Sequence, residues 1–294
     1  MGKKIDRLRA YLELARPQQY LKNGLLWLPL FFGHKLRDPE AVVCTFWAFI
    51  SFCLAAGSVY AFNDILDLPE DRQHPLKSRR PLARGALSPR QAAGLSLLLL
   101  ALALALAAVF LPTEFLLWLG VYLALNLGYC LLLKHFALLD IVCIALGFVG
   151  RVLAGGVAAA VPVSHWLVIV TFLLALFLAL AKRRDDLLLA AAGANPRRST
   201  GGYSREFIST AMAIMAAVTI VAYLLYTLSA DTLARHGTRH LYLTSFWVVL
   251  GFLRFLQLTF VEERSGSPTL TLWQDVFLQA VILAWLANWY FLLY

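Results

Sequence analysis

The residues best placed to do chemistry lie between Asn63 and Arg80. Asn63 opens a run in which Asp64, Asp67, Glu70 and Asp71 put four carboxylates into eight residues. If a helix continues through Asn63, Asp64 and Asp67 share a face at i, i+3, and Asp71 follows at i, i+4. Three carboxylates on one face repel one another unless a cation sits between them. Mg²⁺ suits such a place, because it takes one or two carboxylates, keeps several waters and completes its shell with substrate oxygens. A bare acidic cluster reads first as a solvated loop. Here it is followed at once by Arg72, Lys77, Arg79 and Arg80. Metal ligands beside a basic fork are what a diphosphate needs, since arginine gives paired hydrogen bonds to its oxygens. Asp64, Asp67 and Asp71 are the candidate metal ligands, with Asn63 orienting a carboxylate.

A second polar cluster, Lys182-Arg183-Arg184-Asp185-Asp186, ends a long apolar run. Alone, it reads as an ordinary cationic anchor beside a membrane span. Arg151 is less ordinary, because it falls within an apolar run where an unpaired charge costs at least ~2.5–3.5 kcal/mol. Such a residue faces a polar cavity, and the nearby Gly147, Gly150, Gly155 and Gly156 allow close helix packing. Asp140, about three helical turns earlier, lies on the same face of that helix, with Lys134 and Tyr129 before it. These residues are expected to line a polar shaft. Arg254 poses the same question but has no acidic neighbour on its own helix.

The elements that position these groups follow from composition. Of 294 residues, 61% are apolar and 15% charged, and mean hydropathy is +0.71, which excludes an ordinary water-soluble globule. A membrane-crossing helix needs about 20 apolar residues. On that measure the chain predicts nine spans in an all-α, polytopic membrane protein, organised as one transmembrane domain over residues 1–294. The spans run approximately over 17–33, 41–62, 91–111, 113–133, 138–161, 164–181, 207–229, 241–260 and 272–292. Most of the 26 Lys and Arg fall on one side if the N-terminus is cytoplasmic, so the positive-inside rule selects that orientation. The net charge of +9 therefore needs no nucleic acid as partner. The four cysteines lie in apolar stretches without paired spacing, which suggests neither disulfides nor zinc.

With these residues in view, the chain resembles the UbiA superfamily of intramembrane prenyltransferases, through Asn63-Asp64-x-x-Asp67-x-x-x-Asp71 after a second span. Within it, the sequence is similar to the decaprenyl-phosphate (polyprenyl-phosphate) phosphoribosyltransferase branch. The similarity runs through Arg16-Pro17-x-Gln19-Tyr20-x-Lys22-Asn23, His74-Pro75-x-Lys77-x-Arg79-Arg80-Pro81, Leu133-Lys134-His135, Leu139-Asp140-Ile141, Gly147 to Gly156, and Lys182-Arg183-Arg184. The resemblance implies a UbiA-type bundle that transfers 5-phosphoribosyl from phosphoribosyl diphosphate to a polyprenyl phosphate, using Mg²⁺ and releasing diphosphate. It implies a multi-pass protein of a cell's inner (plasma) membrane with its active face cytoplasmic.

Three anionic groups call for many cations, and Arg16, Lys22, Lys77, Arg79, Arg80, Lys134, Arg151 and Lys182 to Arg184 supply them. In this reading Arg79 and Arg80 meet the diphosphate, the Lys182 to Arg184 run receives the 5-phosphate, Lys22, Lys134 or Arg151 holds the lipid phosphate, and Asn63 orients a carboxylate or binds the ribose. Gln19, Asn23, Tyr129, Asp140 and Asp186 complete the expected substrate-binding set. Adjacent Asp185 and Asp186 depart from the spaced acidic motif usual in prenyltransferases, which disfavours a prenyl diphosphate donor. Two rival readings are a conventional UbiA-type prenyltransferase with an aromatic or lipid acceptor, and a membrane transporter or scaffold.

Overall fold

The computed structural model describes residues 2–73, 76–191, 201–263, 271–272 and 274–294. Among them every regular element is helical. Eight helical segments are long and apolar enough to cross a membrane. The chain is an all-helical polytopic membrane protein, and it divides into two compact units, residues 1–163 and the described residues from 164 onward, with four of those segments in each.

The first unit opens with α1 (Gly2–Ala15). Its Ala10 and Leu14 are fully buried and pack in a cluster with Ala61, Leu82, Leu87 and Ala92. The expected first span, 17–33, is not one continuous helix. Arg16 takes a left-handed conformation at φ 55°, a 3₁₀ segment follows over Pro17–Trp27, and a five-residue α2 (Leu28–Phe32) completes it. Lys22, Asn23 and Gly24 interrupt the apolar pattern there, and Pro29 removes a backbone donor.

The long α3 (Pro39–Leu66) starts on Asp38, whose side chain accepts from the amides of Glu40 and Ala41. It extends a turn beyond the expected boundary, which puts Asn63 and Asp64 on the helix itself. The short α4 (Leu68–Gln73) continues almost at once. The Asp71 amide donates to the Asp67 carbonyl at 2.8 Å, so the Asp64, Asp67, Asp71 spacing is helical as the sequence predicts.

Against α3 lies α5 (Pro89–Phe110), capped by a reciprocal Ser88–Gln91 box. Small side chains bring the two helices together, and two polar contacts fix their register. The Ser51 hydroxyl donates to the Ala103 carbonyl at 2.9 Å, and the Ser58 and Ser96 hydroxyls meet at 3.1 Å. Such contacts are characteristic of helix pairs that cannot rely on hydrophobic exclusion of water. The unit is completed by α6 (Thr113–Leu131) and α7 (Leu139–Ala158). Gly155 lets α7 lie directly on the 3₁₀ segment: a Cβ there would stand 2.3 Å from the Leu26 carbonyl oxygen.

In the second unit, α8 (His165–Ala191) runs well past the expected end at 181 and carries Lys182 to Asp186 on its final turns. It is followed by α9 (Arg205–Leu228), α10 (Ala230–His236), α11 (Ser245–Phe260) and α12 (Val276–Leu293). The Tyr223 hydroxyl joins three of these elements. It accepts from the indoles of Trp285 at 2.8 Å and Trp289 at 2.7 Å and meets the Thr244 hydroxyl at 2.7 Å. Arg254 does have acidic partners. They come from outside its helix: Asp275 at the N-cap of α12, at 2.6 Å, and Glu262 at 2.9 Å.

Candidate active site

The turn from α3 into α4 gathers most of the expected chemistry. Asp64 is 1% exposed and Asp71 2%. Asp64 Oδ1 accepts from the Arg16 guanidinium and from Arg80 Nη1, the latter at 3.0 Å. The same Arg80 nitrogen reaches Asp71 Oδ2 at 2.6 Å, so one guanidinium links both buried carboxylates. Lys134 binds Asp67 Oδ1 at 2.5 Å, and Asn63 donates to Asp67 Oδ2 at 2.8 Å. Asn63 thus orients a carboxylate, one of the two roles its position suggested. Arg16 is held for this task by its left-handed backbone and by the Tyr60 ring, 5.3 Å beneath the guanidinium.

A second polar centre in the same unit is built around Arg151, 6% exposed. Its Nε donates to Asn23 Oδ1 at 2.7 Å, Nη1 to the Gly147 carbonyl at 2.7 Å, and Nη2 to the Tyr122 hydroxyl at 3.1 Å. The guanidinium also lies over the rings of Tyr122 and Phe148. These contacts solvate the cation without neutralising it. Asp140 is fully buried in the first turn of α7, three turns away, and its Oδ1 accepts from the Ile141 amide. Half-buried Lys22 makes no ion pair among the described residues.

The remaining expected residues are more dispersed. Gln19 and Tyr129 are half-buried, as is Lys77 on the short 3₁₀ turn Lys77–Arg79, while Arg79 is exposed. His74 and Pro75 lie outside the described residues. In the second unit, Arg183 pairs with Asp186 at 2.5 Å. Arg184 instead lies on the face of α8 that turns to α11, its guanidinium 5.1 Å from the Phe260 ring and its Nε and Nη1 without partners. Adjacent helical residues are about 100° apart, so Lys182, Arg183 and Arg184 do not form one cationic patch. Sequence reasoning missed Tyr122 and Tyr60. The need of Arg151 for buried acceptors was legible; which helix supplied them was not.

The donor set suits a hard divalent cation. Asp64 Oδ2 and Asp71 Oδ1 are buried oxygens without hydrogen-bond partners, and a buried anionic oxygen left so carries a desolvation cost that a cation would offset. No cluster of three or more His, Cys, Asp or Glu side chains converges as a ready-made metal cage among the described residues.

The fold is that of a polytopic helical membrane protein, and its first unit carries a buried acidic turn laced with arginine and lysine. The sequence pattern of the UbiA prenyltransferase family matches residues 26–278, and the chain belongs to that family. It is 34% identical over 290 residues to the decaprenyl-phosphate phosphoribosyltransferase of Mycolicibacterium smegmatis, covering 94% of this chain and 90% of that protein. It is 32% identical over 280 residues to the enzyme of the same name from Corynebacterium glutamicum, covering 93% and 83%. Its fold matches that of a UbiA homolog from Archaeoglobus fulgidus, whose structure was determined bound to GPP and Mg²⁺. The TM-score there is 0.71 at 22% identity, over 97% of this chain and 99% of that one.

Proposed function

We propose that this protein transfers 5-phosphoribosyl from phosphoribosyl diphosphate to a polyprenyl phosphate, releasing diphosphate. One structural observation carries the choice among UbiA chemistries. After Arg16, Arg80 and Lys134 are matched to the acidic turn, Lys22 and Arg151 remain in the same unit without carboxylates. A site for one diphosphate and a neutral acceptor has no use for that surplus, whereas a lipid phosphate does. The near full-length similarity to two decaprenyl-phosphate phosphoribosyltransferases supports the same choice.

Asp64 and Asp71, through their unpartnered oxygens, would hold Mg²⁺, with Asp67 beside them. Bound there, the ion would supply charge to the departing diphosphate. Arg80 and Arg16 lie where they can bind the diphosphate oxygens and stabilise negative charge as the bond from ribose C1 to the diphosphate oxygen breaks. Lys22 and Arg151 would hold the lipid phosphate. Its oxygen is already ionised and attacks C1 without a general base. Asn63 keeps Asp67 oriented, and the buried surroundings of Arg151 limit water, the competing acceptor. We place the acidic turn on the cytoplasmic side of the plasma membrane, because the phosphoribosyl donor is a water-soluble metabolite.

The test is turnover of detergent-purified protein with polyprenyl phosphate and labelled phosphoribosyl diphosphate. A labelled lipid formed only with Mg²⁺ is expected. No labelled lipid, with prenyl diphosphate consumed in the presence of an aromatic acceptor, would overturn the proposal.

A further inference from the structure

The acidic turn is already neutralised by the protein itself. Among the described residues, Asp64, Asp67 and Asp71 face three cations, Arg16 on Asp64, Arg80 on Asp64 and Asp71, and Lys134 on Asp67, while the fourth acidic side chain of the turn, Glu70, is exposed. Arg80 matters most, because a single nitrogen of its guanidinium spans the two carboxylates that each keep an unpartnered oxygen. The same unit holds Arg151, bonded to neutral groups, and Lys22, on which the charges of Arg151 and of the turn's own Arg16 act. The three pairs cancel, and the two further cations leave the surroundings positive. A bare divalent cation entering here adds like charge, which a partly desolvated site penalises strongly. A divalent cation already chelated by a diphosphate is anionic overall and meets the opposite field.

Resting on the donor reading above, we propose that this site takes its metal only as the diphosphate chelate, and that Arg80 is the residue that excludes the bare ion. On entry of the chelate, Arg16 and Arg80 exchange carboxylate oxygens for diphosphate oxygens, and the freed carboxylates turn to the metal. No covalent bond changes in this step. Ionic partners are exchanged at constant total charge, which is why it needs no proton transfer.

Binding of Mn²⁺, followed as the metal retained with the protein in equilibrium dialysis so that Mn²⁺ chelated by diphosphate in solution is not counted, tests this without turnover. For the wild-type protein, adding inorganic diphosphate is expected to tighten Mn²⁺ binding at least about 30-fold, within the range of ordinary coupling between ligands. In Arg80→Gln, Mn²⁺ alone is expected to bind about tenfold tighter than in wild type, and the gain from diphosphate should shrink. Arg80→Lys, which keeps the charge, should retain exclusion of the bare ion. If Arg80→Gln does not fold, Arg16→Gln removes the other cation from the same Asp64 oxygen and is read in the same way. Unchanged or weaker binding of bare Mn²⁺ in these charge-removing variants overturns the inference. Failure of wild type to bind Mn²⁺ in either form overturns instead the reading of the turn as a metal and diphosphate site. Binding of the chelate without transfer to lipid overturns the activity alone.

Discussion

Asp64 and Asp71 share a guanidinium and each keep one oxygen in reserve, whereas both oxygens of Asp67 are engaged by Lys134 and Asn63. Asp64→Asn preserves size and removes the charge that faces both Arg16 and a metal, so turnover should fall by roughly 10²-fold or more, as when a key electrostatic contact is lost. Steady-state assay at saturating Mg²⁺ checks this, and turnover within threefold of wild type would remove Asp64 from the site. Lys22 gives a second prediction. It is half-buried, with no carboxylate opposite it among the described residues. Lys22→Gln should raise the KM for polyprenyl phosphate by about tenfold, the loss of one charge-assisted contact, and leave the KM for phosphoribosyl diphosphate within about threefold. Equal changes in the two KM values would dissociate Lys22 from the acceptor.

At the scale of elements, the site depends on a contact that has no side chain on one side. Gly155 allows the backbone around Leu26 to lie on α7, and that contact sets Asn23 against Arg151. Gly155→Ala would thrust a methyl group to within 2.3 Å of the Leu26 carbonyl oxygen, where backbone must move. Overpacking of this kind costs about 1–3 kcal/mol. The variant should unfold at lower temperature in detergent and lose acceptor binding more than donor binding, measured as separate KM values. The sequence showed the small residues of this stretch and the helical spacing of the acidic turn, because both are local patterns. It did not show that 17–33 breaks into a 3₁₀ segment and a short helix, since hydropathy counts apolar residues and is blind to the hydrogen-bond pattern linking them. Nor did it reveal the partners of Arg151 and Arg254. Asn23 and Tyr122 come from other elements, and Asp275 from a different helix end, so no spacing rule along one helix could find them.

Over the whole molecule, the two units are built alike: each has four membrane-length segments, and the first is its longest helix with a polar cluster toward the C-terminal end. In the first unit α3 leads to the acidic turn; in the second α8 carries Lys182 to Asp186. The clusters differ in character, and only the first leaves carboxylate oxygens unpartnered on two residues joined by one arginine. Orientation of the chain then rests on charge. Arg90, exposed in the first turn of α5, belongs to the densely basic stretch that includes Arg72, Lys77, Arg79, Arg80 and Arg84, whereas exposed Arg239 has only Arg235 nearby in sequence. The positive-inside rule predicts that the basic stretch stays on the cytoplasmic side, because the membrane potential opposes its transfer. Of the native cysteines, Cys53, Cys130 and Cys143 are buried, so replacing half-buried Cys44 with alanine gives a quiet background for labelling. In that background, a membrane-impermeant thiol reagent added to intact cells should label Arg239→Cys and leave Arg90→Cys unlabelled until the membrane is opened. The reverse pattern would put the acidic turn on the outer face, away from any soluble phosphoribosyl donor, and would exclude the proposed reaction in the cell even if purified protein performed it.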